Sequence, residues 1–271
     1  NGSDEIIDLC FRIFCKPGSD KAIIFPPTYG MYQVAAEIND VKLVRVPLTD
    51  DFQIDTPEAM EALNDRSLKL AIICSPNNPT GNAMKASDIE IIIRNFKGIV
   101  LIDEAYCDFS EHKSFKEMTE TTGNLIVMQT FSKAMGMAAA RIGMAFMNPL
   151  LVTYFNKIKP PYNISTINQR AALKCLKRYE LVQTRISLIL KERERLAGAL
   201  EKITIIEKVF PSDANFLLVR TADPDRIYNE LKDKNIIVRN RNLIIRGCIR
   251  ITVGTRREND ILLKALRNIS L

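Results

Sequence analysis

A carboxylate stands at the end of a strongly hydrophobic segment, where a charged group requires a partner. Residues 98–103 read Gly-Ile-Val-Leu-Ile-Asp, so a predicted buried strand ends in Asp103. Burying an unpaired carboxylate is costly, and a protonated nitrogen heterocycle would be a suitable partner. The hydroxyl of Tyr106, three residues later, could bind a neighbouring oxygen of the same ligand. On this segment alone, the alternative that Asp103 only caps a helix remains open.

A lysine follows a second predicted strand. Thr130-Phe131-Ser132-Lys133 comes directly after the segment 124–129, and Arg141 lies eight residues beyond the lysine. Burial favours the neutral form of a lysine, which is then a nucleophile toward an aldehyde. Ser132 and Arg141 are suited to binding phosphate, the arginine through its planar guanidinium. Most lysines are solvated surface residues, so only this setting distinguishes Lys133.

Two further segments are suited to ligand binding, although each has an ordinary structural explanation. Residues 74–81 (Cys-Ser-Pro-Asn-Asn-Pro-Thr-Gly) follow a third hydrophobic segment, and their prolines restrict a loop that can present an amide to a ligand oxygen. An ordinary loop has a similar composition. Residues 1–5 precede an amphipathic helix, for which Ser3 is the expected N-cap, and a helix N-terminus also binds phosphate.

The composition excludes several other classes of protein. The chain has 271 residues, of which 46% are hydrophobic and 26% charged, as in ordinary globular proteins. The net charge of +6 lies largely in mixed-sign helical segments without interleaved aromatic residues, so we expect no nucleic-acid partner. The single histidine, His112, cannot build a zinc site, and we expect no metal.

We also expect a cytoplasmic protein without a membrane anchor. No hydrophobic segment approaches the roughly 20 residues that cross a bilayer, and the chain opens with polar residues rather than a secretory leader. The six cysteines are scattered, mostly within apolar segments, and are expected to be reduced.

The chemistry-bearing segments all lie within a predicted α/β region. Hydrophobic segments without alternation indicate strands of a mostly parallel sheet, buried on both faces by helices and binding ligands at their carboxyl ends. The helix predicted over 85–95 is one of those that separate them. The predicted strands are 21–25, 41–47, 68–74, 98–103, 124–129 and 142–147.

The pattern changes near Lys159-Pro160-Pro161. A long helix is predicted over about 165–202, followed by a smaller α+β domain. Its predicted strands are 214–220, 236–239 and 248–253, and its helices are 223–234 and 257–268. We therefore predict a large domain over 1–160 and a linking helix with a small domain over 161–271. Because a domain rarely begins on a helix cap, we expect that N-terminal residues of the natural protein are absent.

The ordered motifs resemble those of fold-type I pyridoxal-phosphate aminotransferases along the whole chain. They are Asn-Gly-Ser-Asp-Glu (1–5), Pro-Asn-Asn-Pro-Thr-Gly (76–81), Asp-Glu-Ala-Tyr (103–106), Ser-Lys with the later arginine (132–141) and Gly-Cys-Ile-Arg-Ile-Thr-Val-Gly-Thr-Arg (247–256). Within that family the sequence most resembles the histidinol-phosphate aminotransferases. The resemblance implies a large and a small domain, pyridoxal 5'-phosphate as cofactor, small-molecule substrates and a homodimer.

The resemblance also implies a role for individual residues. Lys133 matches the lysine that forms a Schiff base with the cofactor, and Asp103 matches the partner of its pyridine nitrogen. Asn78 and Tyr106 match the residues that bind the phenolic oxygen of the cofactor, and Tyr29 matches the aromatic residue that stacks on its ring. The residues that match the phosphate site are Ser3, Asp4, Ser132 and Arg141. The residues that match the substrate site are Arg250, Arg239 and Asn78. Of these, Arg250 would bind the substrate carboxylate and Arg239 the substrate phosphate.

The activity implied is amino transfer between glutamate and imidazole-acetol phosphate, giving histidinol phosphate. Three alternatives stay open at this point. An aromatic-amino-acid aminotransferase or a threonine-phosphate decarboxylase would share Lys133 and Asp103. A non-catalytic pyridoxal-phosphate-binding domain or fragment would keep the fold with an incomplete pocket.

Overall fold

A mostly parallel six-stranded sheet forms the larger part of the protein, in a computed structural model that describes residues 1–269. Its strands are β1 (Lys21–Ile24), β2 (Lys42–Arg45), β3 (Leu68–Cys74), β4 (Ile99–Asp103), β5 (Leu125–Thr130) and β6 (Gly143–Met147). They lie in the order β2-β1-β3-β4-β5-β6, and only β6 runs antiparallel to its neighbour. The predicted α/β class is therefore confirmed.

Helices cover both faces of this sheet. They are α1 (Ser3–Phe14), α2 (Met31–Ile38), α3 (Thr56–Ala62), α4 (Ala86–Asn95) and α5 (Pro149–Ile158). Successive strand residues point to opposite faces, so Ile72 packs in the core beneath α1 and α2, and Ile73 packs in the core beneath α4. Burial on both faces explains why these strands read as continuous hydrophobic segments.

The strand register brings the chemistry-bearing segments to one edge of the sheet. Cys74 at the end of β3 pairs with Asp103 at the end of β4, and Asp103 pairs in turn with Met128 of β5. Because the three strands are parallel, the segments that follow them emerge side by side. This arrangement places the Asn-Pro loop, Asp103 and Lys133 around a common space.

A second, antiparallel sheet lies in the C-terminal part. Two helices, α6 (Thr166–Leu176) and α7 (Tyr179–Leu200), precede the strands β7 (Ile206–Val209), β8 (Phe216–Thr221), β9 (Arg239–Asn240) and β10 (Cys248–Thr252), with helices α8 (Pro224–Asp233) and α9 (Arg256–Arg267). The strands lie in the order β7-β8-β10-β9. Their core includes Leu217, Ile249, Leu231 and Leu266.

The prediction of one helix over 165–202 is wrong. Arg178 leaves the helical conformation (φ −122°, ψ 34°) between α6 and α7. The change of direction lets Tyr179 and Val182 pack in the cluster that also holds Tyr106. Every residue at the break is compatible with a helix, so tertiary packing, rather than local preference, ends α6.

Two strands of the smaller sheet also differ from prediction. The strand predicted over 236–239 is wrong except at its end, because β9 is only Arg239–Asn240, and the amide of Ile236 instead donates to Leu231 at the end of α8. Strand β7 was not predicted. The division into domains 1–160 and 161–271 stays a prediction, and residues 270 and 271 lie outside the described part. Across residues 1–269, no helix is both long and apolar enough to cross a membrane.

Candidate active site

A cavity of about 150 Å³ lies at the carboxyl ends of β3, β4 and β5. It brings together the nine residues predicted to bind a cofactor, which are Ser3, Asp4, Tyr29, Asn78, Asp103, Tyr106, Ser132, Lys133 and Arg141. These residues come from six separate stretches of chain, so their convergence results from the sheet topology.

Asp103 is buried at the base of this cavity, with 3% of its surface exposed. One carboxylate oxygen accepts a hydrogen bond from the hydroxyl of Tyr32 at 2.7 Å, and the other accepts one from the amide of Ala105 at 3.0 Å. Burial raises the pKa of Asp103 to about 6, while these two hydrogen bonds and the nearby charge of Lys133 oppose that rise. A cationic ligand group would stabilise the ionised carboxylate.

Lys133 follows β5 and faces Tyr106, with its Nζ 5.2 Å from the centre of the tyrosine ring. Burial lowers the pKa of Lys133, and the positive charge of Arg250 lowers it further. Both effects favour the neutral amine, which is the nucleophilic form. Burial also raises the pKa of Tyr106, so its hydroxyl remains a hydrogen-bond donor at neutral pH.

Asn78, which lines the cavity, and Arg250 of β10 connect the loop after β3 to the smaller sheet. The Nη1 of Arg250 donates to the Oδ1 of Asn78 at 2.6 Å, and the guanidinium lies 4.7 Å from the ring centre of Phe216. Because the Asn78 oxygen is occupied, its amide nitrogen is the group available to a ligand oxygen. The Nε of Arg250 is buried without a hydrogen-bond partner.

Three arginines share one face of the smaller sheet. Arg239 of β9 pairs with Arg250 of β10, and the amide of Arg241 continues the ladder by donating to Cys248 at 2.9 Å. Within residues 1–269, no carboxylate forms a salt bridge with any of these three. Burial lowers the pKa of Arg241, and the charge of Arg239 lowers it further. Such unneutralised guanidinium groups are suited to binding an anion.

Arg241 was not among the predicted site residues. Its Nε is buried without a hydrogen-bond partner, like that of Arg250. The available signal was the spacing of Arg239 and Arg241, because residues two apart on an extended strand point to the same face. Tyr32 was also missed, although it lies on α2 three residues after Tyr29.

The phosphate-binding end is built on the N-terminus of α1. The prediction that Ser3 caps this helix is wrong: Gly2 is the N-cap residue, Ser3 is already helical, and no side chain caps the helix. Gly2 has φ 78°, and a Cβ atom there would lie 2.7 Å from the Nη2 of Arg141. Only glycine fits this turn readily, so the helix begins one residue earlier than predicted.

Asp4 positions two other residues at this end of the cavity. Its carboxylate accepts hydrogen bonds from Arg141 at 3.0 Å and from the hydroxyl of Tyr29 at 3.2 Å. The salt bridge offsets the negative charge of Asp4, and the backbone N–H groups of the first helical turn are the anion donors. Ser132 adds a hydroxyl to the lining of the same cavity.

The structure offers no metal site in the part that it describes. Among residues 1–269, no group of three or more His, Cys, Asp or Glu side chains is arranged to hold a metal ion. His112 is exposed, and all six cysteines are free thiols. The cavity itself holds an amine, a buried carboxylate and a helix N-terminus suited to binding an anion.

Comparison with known proteins identifies the family. A sequence model described as "Aminotransferase class I and II" matches residues 1–266. The chain is 48% identical over 269 residues to the histidinol-phosphate aminotransferase of Cytophaga hutchinsonii, and the alignment covers 98% of this chain and 77% of that protein.

Two solved structures have the same fold. The histidinol-phosphate aminotransferase from Clostridium acetobutylicum matches with a TM-score of 0.91 at 26% identity, covering 98% of this chain and 81% of that one. The enzyme from Sinorhizobium meliloti, solved in complex with pyridoxal-5'-phosphate, matches with a TM-score of 0.88 at 25% identity, covering 98% and 74%. Because the family model and these relatives match nearly the whole chain, the protein belongs to the class I and II aminotransferase family.

Proposed function

We propose that this protein is a pyridoxal-phosphate-dependent histidinol-phosphate aminotransferase of histidine biosynthesis. It transfers an amino group between glutamate and imidazole-acetol phosphate, and the products are 2-oxoglutarate and histidinol phosphate. The observation that carries this proposal is the placement of an amine and a buried carboxylate, Lys133 and Asp103, in one cavity with an anion-binding helix N-terminus. The 48% identity to the Cytophaga hutchinsonii enzyme supports the choice of substrate.

The residues of the cavity fit pyridoxal phosphate. Asp103 is a buried carboxylate that forms no salt bridge within residues 1–269. It is therefore available to pair with the protonated ring nitrogen. The remaining proposed contacts are Lys133 to the aldehyde, Asn78 and Tyr106 to the phenolic oxygen, and Tyr29 to the ring. The phosphate would be bound by Ser3, the backbone N–H of Asp4, Ser132 and Arg141. When bound, the cofactor supplies an aldehyde that takes up the amino group and a ring that withdraws electrons from the substrate Cα.

The side chains of the protein position the reactants and move the proton. Asp103 retains the proton on the ring nitrogen by pairing with it, and the hydroxyl of Tyr106 donates to the phenolic oxygen. Lys133 acts as the general base because burial favours its neutral form. Its Nζ takes the proton from the Cα of the amino-acid substrate. In the second half-reaction it gives a proton to the Cα of the new amine.

The arginine face binds the acidic end of both substrates. We propose that Arg250 binds the carboxylate of the amino-acid substrate and Arg239 the phosphate of histidinol phosphate. Arg241 lies on the same face and adds a third positive charge. A phosphate monoester carries up to two negative charges at neutral pH, so a cluster of arginines favours it over a singly charged carboxylate.

The substrate is tested by following the colour of the bound cofactor in single half-reactions. We expect histidinol phosphate and glutamate to bleach the yellow holoprotein within seconds, and phenylalanine and threonine phosphate to do so at least about tenfold more slowly, since each tenfold reflects about 1.4 kcal/mol of transition-state binding. Stopped-flow absorbance measures all four rates. Faster bleaching by phenylalanine than by histidinol phosphate would instead indicate an aromatic-amino-acid aminotransferase, and carbon dioxide release from threonine phosphate would indicate a decarboxylase.

Arg239→Gln should raise the KM for histidinol phosphate by about tenfold or more and change kcat little, because one charge-assisted hydrogen bond to the phosphate is lost. Steady-state kinetics with histidinol phosphate check this, and Arg246→Gln, an exposed arginine of the same segment, is the matched control. If Arg241→Gln shows the effect and Arg239→Gln does not, the phosphate contact belongs to Arg241.

The proposal includes a homodimer in the cytoplasm. Large apolar side chains on α5, α6 and α7 are exposed in the single chain, and burial against a second copy would remove them from water. The most exposed on these helices are Leu150, Ile167, Leu173 and Leu188, with exposed fractions of 60% or more.

A further inference from the structure

Tyr32 is buried completely, yet it carries a polar hydroxyl. None of its surface is exposed, and it is among the largest fully buried side chains in the described chain. A phenylalanine would fill the same space without a polar group to satisfy. Because burial of a hydroxyl is unfavourable unless it is hydrogen-bonded, the partner of this hydroxyl is informative. That partner is Asp103, whose Oδ2 accepts the hydroxyl proton at 2.7 Å.

The position of the hydroxyl is set by packing on all sides. Tyr32 lies on α2 in the core between α1 and the sheet, while Asp103 ends β4. The ring of Tyr29 meets the ring of Tyr32 edge to face, at 5.6 Å and 87°. Tyr29 lines the cavity, whereas Tyr32 does not. Because none of its surface is exposed, Tyr32 contacts Asp103 from within the core rather than from the cavity.

The two oxygens of Asp103 are held by different donors. The hydroxyl of Tyr32 takes Oδ2, and the amide of Ala105 takes Oδ1 at 3.0 Å. The amide is part of the backbone beside Asp103, so of these two donors the tyrosine is the one that holds the carboxylate from another element. Two such bonds hold the plane of the carboxylate in one orientation.

We propose that Tyr32 is a positioning residue, whose hydroxyl keeps the Asp103 carboxylate ionised and oriented toward the ring nitrogen of the cofactor. This inference rests on the proposed function. It assigns no contact with the cofactor to Tyr32 itself, which acts through Asp103.

Charge supports the same role. Burial is the largest influence on Asp103 and raises its pKa, whereas the Tyr32 hydroxyl is the strongest influence that lowers it. The other groups that face Asp103 are Asp4 from α1, Lys133 after β5, Cys74 from β3, and the hydroxyls of Tyr29 and Tyr106. Removing the Tyr32 hydroxyl would raise the pKa of Asp103, so a smaller fraction of the carboxylate is ionised at a given pH.

The test is the variant Tyr32→Phe, which keeps the ring in the core and removes only the hydroxyl. The dissociation constant for pyridoxal phosphate is measured from pH 5 to 9 in wild type and variant, by titrating the apoprotein. We expect the acid limb of the affinity profile to move to higher pH by about one unit. The reason is that loss of a hydrogen bond to the ionised form raises the pKa of the carboxyl group by about one unit. We also expect kcat to fall about tenfold, with a smaller change in KM.

Tyr179→Phe is the matched control, because it also removes a tyrosine hydroxyl from a carboxylate, that of Asp108 at 3.4 Å. It should leave the pH profile at the wild-type position. A second test combines Tyr32→Phe with Asp103→Asn. If the hydroxyl acts through the carboxylate, removing it changes cofactor affinity less than about twofold in the Asp103→Asn background.

The outcomes separate this inference from the function on which it rests. A wild-type protein that binds pyridoxal phosphate and a Tyr32→Phe variant with the same pH profile and kcat would overturn the role of Tyr32 alone. An equal loss of affinity in both Asp103 backgrounds would also overturn it, because the effect would then be structural. Failure of the wild-type protein to bind the cofactor would overturn the proposed function and the inference together.

Discussion

Lys133→Ala is expected to abolish covalent attachment of pyridoxal phosphate and to lower the transamination rate by at least about 10⁴-fold. The variant loses both the amine that bonds to the aldehyde and the base that moves the Cα proton, and general base catalysis alone contributes about 10²–10⁴-fold. Borohydride reduction of the holoprotein followed by peptide mass spectrometry locates the adduct. The wild-type protein should carry it on the peptide that contains Lys133.

The matched control is Lys116→Ala, another lysine that lies over an aromatic ring, 5.9 Å from the centre of Phe146. It should retain the reducible adduct and wild-type activity. Because Lys133 makes no salt bridge within residues 1–269, the alanine variant should also fold normally. If the Lys133→Ala variant still forms a stoichiometric adduct that borohydride reduces, a different lysine holds the cofactor.

Asp103→Asn should have opposite effects on cofactor binding and on the stability of the apoprotein. Loss of one partner of a buried ion pair costs about 3–5 kcal/mol, so we expect affinity for pyridoxal phosphate to fall by roughly 10²–10⁴-fold. Equilibrium titration of the apoprotein measures this change. The kcat of the saturated variant should fall as well, because the neutral amide does not hold the proton on the ring nitrogen.

The apoprotein, by contrast, should become more stable at high pH. Burial raises the pKa of Asp103 from an ordinary 3.8 to about 6, so the ionised carboxylate is less favourable in the folded state than in the unfolded chain. This penalty is absent below pH 4, develops as the pH rises from 4 to 6, and is complete above that range. At pH 8 we expect Asp103→Asn to be more stable than wild type by on the order of 1–3 kcal/mol.

Thermal unfolding of the two apoproteins at pH 4, 6 and 8 checks the sign. The gain in stability should be largest at pH 8 and small at pH 4. Asp108→Asn is the control, because burial also raises the pKa of Asp108, which lies outside the cavity. That variant should gain stability with the same sign and keep its affinity for the cofactor. An Asp103→Asn protein with wild-type cofactor affinity would contradict the pairing of Asp103 with the ring nitrogen.

Much of the larger sheet follows from local sequence. The predicted strand over 68–74 matches β3 at both ends, and the other five predicted strands of this sheet differ from those observed by at most two residues at either end. These strands are buried on both faces, so each appears as a continuous hydrophobic segment. Their carboxyl-terminal positions also indicated Asp103 and Lys133 as candidates. The roles given to the site residues stay predictions, which the substitutions above test.

Other features depend on contacts between distant parts of the chain. The break at Arg178 and the short strand β9 are set by packing or by a neighbour that is remote in sequence, and local preference does not indicate them. Tyr32 reads as an ordinary core residue until α2 places its hydroxyl against Asp103, 71 residues away. Arg241 reads as a surface arginine until β9 pairs with β10.

The sequence by itself therefore determined the α/β class, the strands of the larger sheet and the types of residue available for chemistry. Only the tertiary structure decided which donor holds each oxygen of Asp103 and which arginines share a face with Arg250. The physical reason is that hydrophobic burial acts on segments and leaves a periodic record in the sequence. A hydrogen bond or an electrostatic contact depends on the positions of two side chains to within an ångström, and those positions exist only after the sheets and helices have packed.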